Sequence, residues 1–123
     1  MRFLRGTAVQ FNESLILGPY PSGKELLKLK QTGVSIIINL MSPDSIVEAP
    51  LIEEENRLCR KYGLTCVSFP LSFVKLRSES NDRQLDAAIR YIQSNPGKKY
   101  VHCYLGRHRT RSEERRVGKE CRL

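Results

Sequence analysis

Apolar and polar positions alternate along this chain in two periods, one of strands and one of helices. Val34 to Leu40, VSIIINL, is apolar almost throughout and β-branched. It predicts a strand covered on both faces, as in a parallel sheet. Leu64 to Phe69 predicts the next strand and Lys99 to His102 a last one. Thr7 to Phe11 and Ser14 to Leu17 predict two short strands around a turn at Asn12-Glu13. After the structure-breaking Gly18-Pro19-Tyr20-Pro21-Ser22, Ser22 can cap a helix running to about Gln31. Leu26, Leu27 and Leu29 form its apolar face and Gly33 ends it.

A second helix is predicted near Leu51 to Tyr62. Glu53, Glu54 and Glu55 fall in its first turn and Arg60 and Lys61 in its last, an order that complements the helix dipole. Gly63 stops it. Asn81 or Asp82 caps a third helix to about Ser94, in which Leu85, Ala88, Ile89 and Ile92 recur at helical spacing. Asn95-Pro96-Gly97 then turns the chain into the last strand. Strands alternating with helices predict an α/β fold, a central mostly parallel sheet flanked by helices, with right-handed crossovers. Ligands bind such sheets at the carboxyl ends of the strands.

Composition narrows the function without naming it. The 123 residues suffice for one compact domain, and 40% hydrophobic with 28% charged residues is ordinary for a soluble protein. No apolar run reaches the roughly 18 residues of a membrane span. Met1 to Arg5 meets charge too early for a secretion signal, so a cytoplasmic protein is expected. The formal charge is +8, but outside the last thirteen residues it comes from sixteen Lys and Arg against ten Asp and Glu. These are scattered, with few aromatics between them, which argues against a nucleic-acid partner. A mild positive field still favours anionic substrates. Cys59, Cys66, Cys103 and Cys121 have neither zinc-ligand spacing nor disulfide-scaffold density, so reduced thiols and no metal or cofactor are expected. Cys59 in a helix and Cys66 in a strand read as small core residues.

Only Cys103 has a chemical neighbourhood. Five residues separate it from Arg109, with Gly106 between them and Thr110 behind. A loop this short can curl until its backbone N–H groups point inward as a nest for a phosphate-sized dianion. Gly106 permits the close approach, and the planar fork of Arg109 can take two phosphate oxygens. The same dipoles would stabilise a Cys103 thiolate, a nucleophile for phosphorus. Arg109 and the amides would carry the charge of the transferring group. Thr110 could donate to the leaving sulfur, and His102 could help hold the loop.

The stretch His102-Cys103-Tyr104-Leu105-Gly106-Arg107-His108-Arg109-Thr110 resembles the pattern His-Cys-x-x-Gly-x-x-Arg-Ser/Thr of protein-tyrosine and dual-specificity phosphatases. Gly18 to Ser22, the helix after it, the strand end Ile38-Asn39-Leu40 and Phe69-Pro70-Leu71-Ser72 are similar to corresponding segments of small, atypical dual-specificity phosphatases. The likeness spans roughly residues 5 to 110. It implies a phosphomonoester hydrolase working through a cysteinyl-phosphate, with Cys103 and Arg109 catalytic. His102, Tyr104, Leu105, Gly106, Arg107, His108 and Thr110 would bind substrate. Rhodanese-like sulfurtransferases also carry a cysteine on a short anion loop, but usually lack the His-Cys start and Arg-Thr end.

Arg107 and His108 also resemble the Gly-Lys-His-Arg-Thr stretch of plant and fungal atypical phosphatases acting on inositol pyrophosphates. Two extra basic residues favour a polyanionic phosphate ester over a phosphorylated protein.

Two departures matter. The family's aspartate acid, about thirty residues before the cysteine, has no counterpart in Phe69-Pro70-Leu71-Ser72-Phe73-Val74; Asp44, Glu79 and Asp82 are weak substitutes. A phosphate-binding interaction module without efficient turnover is therefore an alternative. After Thr110 the family continues into supporting helices, whereas here Arg111 to Leu123 holds only Val117, Cys121 and Leu123 as apolar residues. This tail also looks like the in-frame translation of a common short-read sequencing adapter. The expectation is a partial phosphatase-like domain over 1–110, its C-terminal helices missing, with a non-native tail over 111–123. Such a chain, made as written, is expected to be poorly soluble and nearly inactive.

Overall fold

The structure, a computed structural model, describes residues 2–43, 45–71 and 79–102, with the side chains of Glu79 and Ser80 outside it. In chain order the elements are β1 (Arg2–Phe3), β2 (Gly6–Thr7), β3 (Val9–Asn12), β4 (Leu15–Gly18), α1 (Gly23–Gln31), β5 (Val34–Asn39), α2 (Glu48–Tyr62), β6 (Thr65–Ser68), α3 (Glu79–Ser94) and β7 (Lys98–His102). Among the described residues five strands form one sheet in the order β3-β4-β7-β5-β6, and β1 and β2 make a separate hairpin. The β3–β4 pair is antiparallel, while β4–β7, β7–β5 and β5–β6 are parallel. The α/β class and mostly parallel sheet match the reading of the sequence.

Period-two alternation divides the core between the two faces. Leu15, Leu17, Ile36, Ile38 and Val101 pack on one side with Leu85, Ala88 and Ile89 of α3. Ile16, Ile37 and Tyr100 pack on the other with Leu26 and Leu29 of α1 and Leu58 and Cys59 of α2. The sheet is thus covered on both faces, which is why β5 reads as an unbroken apolar run. No helix among the described residues is long and apolar enough to cross a membrane.

Helix α1 begins as expected. Ser22 Oγ accepts from the Glu25 amide at 3.3 Å, and the Ser22 amide donates to Glu25 Oε1 at 2.8 Å, a reciprocal capping box. The second oxygen of Glu25 accepts from the Leu4 amide at 2.6 Å and ties down the β1–β2 hairpin, which the sequence did not announce. Leu26 and Leu29 are buried, but Leu27 is 40% exposed, because its position turns away from the Leu26–Leu29 stripe.

Helix α2 starts a turn earlier than its apolar pattern suggests, at Glu48. Pro50 sits inside the first turn, where its missing N–H costs nothing. Glu48 is consequently the first-turn acid, and Glu53, Glu54 and Glu55 belong to the second turn. Gly63 closes the helix in the left-handed region at φ 74°, as a C-terminal glycine can. Helix α3 begins at Glu79, so neither Asn81 nor Asp82 is its cap. Asn81 is buried in the first turn, and Asp82 is exposed.

Candidate functional site

Parallel pairing aligns four strand ends. Gly18 of β4 and Asn39 of β5 both pair with His102 of β7, and Asn39 pairs with Ser68 of β6. This row marks the carboxyl edge of the sheet, where α/β folds place their ligands. Gly18 is required there: a Cβ would stand 2.5 Å from the Tyr100 hydroxyl and 2.9 Å from Ala8 Cβ. Without that Cβ, the Tyr100 hydroxyl donates to the Pro19 carbonyl.

His102 is fully buried at the end of the central strand. Its carbonyl accepts from the Leu40 amide at 2.9 Å, holding the backbone to the neighbouring strand. Tyr20 meets the imidazole edge-on at 5.7 Å between ring centroids, and Tyr100 lies 5.8 Å away. The imidazole Nε2 is 2.6 Å from Oε2 of Glu55, and neither side chain reaches solvent. The contact brings a basic and an acidic side chain together inside the core. Asn39, also fully buried, accepts from the Met41 amide at 2.7 Å through Oδ1. Its Nδ2 has no partner among the described residues.

Glu55 joins several groups on the same side. Its Oε1 accepts from Cys66 Sγ at 3.5 Å. A hydrogen bond with Cys59 pushes the Cys66 thiol up, and burial and the Glu55 carboxylate push it further. Cys66 is thereby kept as an inert thiol, the opposite of an activated nucleophile. Cys59 and Cys66 are free thiols, and with Asn56, Arg60 and Leu64 they line a cavity of about 350 Å³. The Tyr20 hydroxyl donates to the Leu51 carbonyl at 2.9 Å. Burial, and then the nearby Glu55 charge, push Tyr20 up to about 12, while the Arg5 guanidinium 5.2 Å over its ring pulls the other way. Among the described residues no group of three or more His, Cys, Asp or Glu could hold a metal.

Of the residues singled out from sequence, His102 is in this cluster. Cys103, Tyr104, Leu105, Gly106, Arg107, His108, Arg109 and Thr110 lie outside the described residues, as do Asp44, the Glu79 side chain and residues 111–123. Asp82 sits on α3, which covers the opposite face.

Sequence reasoning missed Glu55, reading it as one of three first-turn carboxylates. A signal was present: Leu51, Glu55, Leu58 and Tyr62 follow a three-four spacing that puts Glu55 on the apolar stripe. A lone carboxylate there is either misplaced or paired.

No protein-family model matches the chain, and no curated protein matches it. Solved structures do. A provisionally assigned phosphatase (DUF442) from Shewanella putrefaciens CN-32 is 23% identical with TM-score 0.71, over 88% of this chain and 64% of that one. A provisionally assigned phosphatase from Neisseria meningitidis z2491 is 18% identical with TM-score 0.64, over 85% and 69%. The core catalytic domain of the PP-IP phosphatase SIW14 from S. cerevisiae, solved with citrate, is 14% identical with TM-score 0.66, over 89% and 62%. The chain spans 64% of the length of the Shewanella protein. What it shares with all three is the fold.

Proposed function

We propose that the chain belongs to a phosphomonoester hydrolase that works through a cysteinyl-phosphate, with Cys103 as nucleophile and Arg109 as phosphate clamp. One observation carries the reading. The His-Cys-x-x-Gly-x-x-Arg-Thr stretch starts at His102, the last residue of the central strand, at the carboxyl edge of a sheet whose fold is shared with solved phosphatases. In the first step the Cys103 thiolate forms an S–P bond as the ester P–O bond breaks, and the leaving oxygen takes a proton. In the second, water displaces the thiolate and inorganic phosphate leaves. Arg109 and the loop amides stabilise the transferring group in both steps. His102, Tyr104, Leu105, Gly106, Arg107, His108 and Thr110 form the rest of the cradle.

Turnover of an aryl phosphate by the protein expressed from its gene tests this. Cys103→Ser is expected to lower kcat at least a thousandfold while phosphate still binds; retained turnover overturns the assignment. A burst of phosphocysteine without steady turnover would instead identify a binding module lacking its acid, for which Asp44, Glu79 and Asp82 are the weak candidates.

A second substrate reading, an inositol polyphosphate or pyrophosphate, is favoured by Arg107 and His108 and by the likeness to a PP-IP phosphatase. Competition between a phosphotyrosine peptide and an inositol pyrophosphate separates the two. We also propose that 1–110 is phosphatase-like domain and 111–123 a foreign tail. Amplification across the junction from source DNA checks it, and the same tail recovered there refutes it.

A further inference from the structure

We propose that the β1–β2 hairpin and the outward face of α1 form a docking surface for an anionic lipid bilayer. Leu4 and Leu27 enter the interface, and Arg2, Arg5, Lys24 and Lys28 meet its headgroups. The surface is separate from the chemistry proposed above and uses none of its residues.

Leu4 has no packing reason to be where it stands. With Arg5 it makes the turn between β1 and β2, in which Arg2 pairs with Thr7 and Phe3 with Gly6. Tight turns in water favour Gly, Asn, Asp and Ser. Phe3 points inward, stacked on Tyr100 at 5.6 Å between ring centroids, and Arg2 and Leu4 on either side of it point out. Leu4 is 80% exposed. Its backbone is nonetheless fixed, because its amide donates to Glu25 Oε2 at 2.6 Å and so holds the tip beside α1.

Helix α1 continues the same surface. Lys24, Leu27, Lys28 and Gln31 follow a three-four spacing opposite the buried Leu26 and Leu29, and all four are exposed. The charge around the two outward leucines is of one sign. Arg2, Lys24 and Lys28 make no ion pair among the described residues, and Arg5 lies 5.2 Å over the Tyr20 ring. Glu25, the acid of α1, turns one oxygen to the Leu4 amide and the other to the Ser22 amide. On the neighbouring α2, Glu54 pairs with Arg57.

Charge complementarity selects the partner. Exposed leucines flanked by cations fit an anionic bilayer, since the leucines leave water for the acyl boundary while the cations meet the headgroups. Lysine stems can lie along that boundary with their ammonium groups still in water. A protein partner fits less well, because the buried core of a protein interface is depleted of lysine.

The test is co-sedimentation of the protein expressed from its gene with vesicles of phosphatidylcholine containing phosphatidylserine, and with phosphatidylcholine alone. Binding is expected to the first and to be lost from it as salt is raised. Leu4→Ser should lower the partition coefficient about tenfold and leave thermal unfolding unchanged, because the side chain is exposed. Lys24→Gln with Lys28→Gln should lower it by about fivefold per charge.

No sedimentation with the anionic vesicles overturns the proposal and would leave a protein as the partner of this surface. Equal binding to both vesicle types overturns it too, as does wild-type partitioning of Leu4→Ser. If Leu4→Ser disturbs the hairpin, the lysine pair decides, since unchanged partitioning there places the contact elsewhere on the molecule.

Discussion

The two faces of the sheet are built from the same strands and bury different chemistry. Beneath α3, Leu15, Leu17, Ile36, Ile38 and Val101 meet Leu85, Ala88 and Ile89, and the polar Lys99 sends its Nζ to the Gly97 carbonyl at the amino end. Beneath α1 and α2, Ile16, Ile37 and Tyr100 give way at the carboxyl end to Asn39 and His102, and α2 answers with Glu55. On the α3 face burial lowers the free energy directly, at roughly 25 cal/mol per Å² of apolar area. On the other face Glu55 and His102 are buried side by side at the carboxyl end, as Lys99 is buried at the amino end of the first. The difference separates a face held by apolar packing from one that also buries an acidic and a basic side chain at its carboxyl edge.

The largest expected effect tests that separation. Glu55→Ala leaves His102 buried without its carboxylate and should cost about 3–5 kcal/mol in urea unfolding. Replacing both partners, Glu55→Leu with His102→Leu, should return most of that loss, because the pair contributes little net stability over packed apolar groups. A double variant as unstable as Glu55→Ala would mean that the polar face is structural after all.

On the α3 face the matching change is Ile38→Ala. Ile38 is fully buried in the middle of β5, and its truncation should cost about 3 kcal/mol through lost transfer energy and the cavity left behind. Among the described residues the cluster around Ile38 is apolar apart from Tyr91 at its margin, so the loss should be the same at pH 5 and pH 8. A loss that varies by more than about 1 kcal/mol between the two would show that the faces are coupled through the sheet.

The same division explains what could be read in advance. VSIIINL, the Ser22 cap and the Leu85-Ala88-Ile89 stripe carry their environment in their own periodicity, and the structure places them as read. Helix α2 starts before the Leu51 its pattern predicts because Glu48-Ala49-Pro50 carries no strong apolar marker, and Pro50 is tolerated in a first turn. The β1–β2 hairpin was missed because two-residue strands have no period; what fixes it is the long-range bond from Leu4 to Glu25. Of the site, the loop motif was legible as a string of residue types. The Glu55–His102 contact joins positions 47 residues apart and depends on the packing of α2 on β7, which no local pattern encodes.

A smaller effect distinguishes the faces by alkaline titration. Tyr20 is 4% exposed, donates to the Leu51 carbonyl and is pushed up to about 12 by burial and the Glu55 charge. Its folded-state value lies above the ordinary 10.0, so its contribution to stability is complete below pH 10 and is lost as pH rises toward 12. In that window the unfolded chain ionises its tyrosine while the folded one keeps the proton. Tyr20→Phe removes the bond to Leu51 and should lower stability by about 1 kcal/mol at pH 8. Allowing for screening, the gap between wild type and Tyr20→Phe should shrink by about 1 kcal/mol between pH 10 and 12. Thermal unfolding across that range measures it. A gap that stays constant would mean that Tyr20 does not feel Glu55 or the burial around it, and the α2 face would then be less tightly coupled than its geometry states.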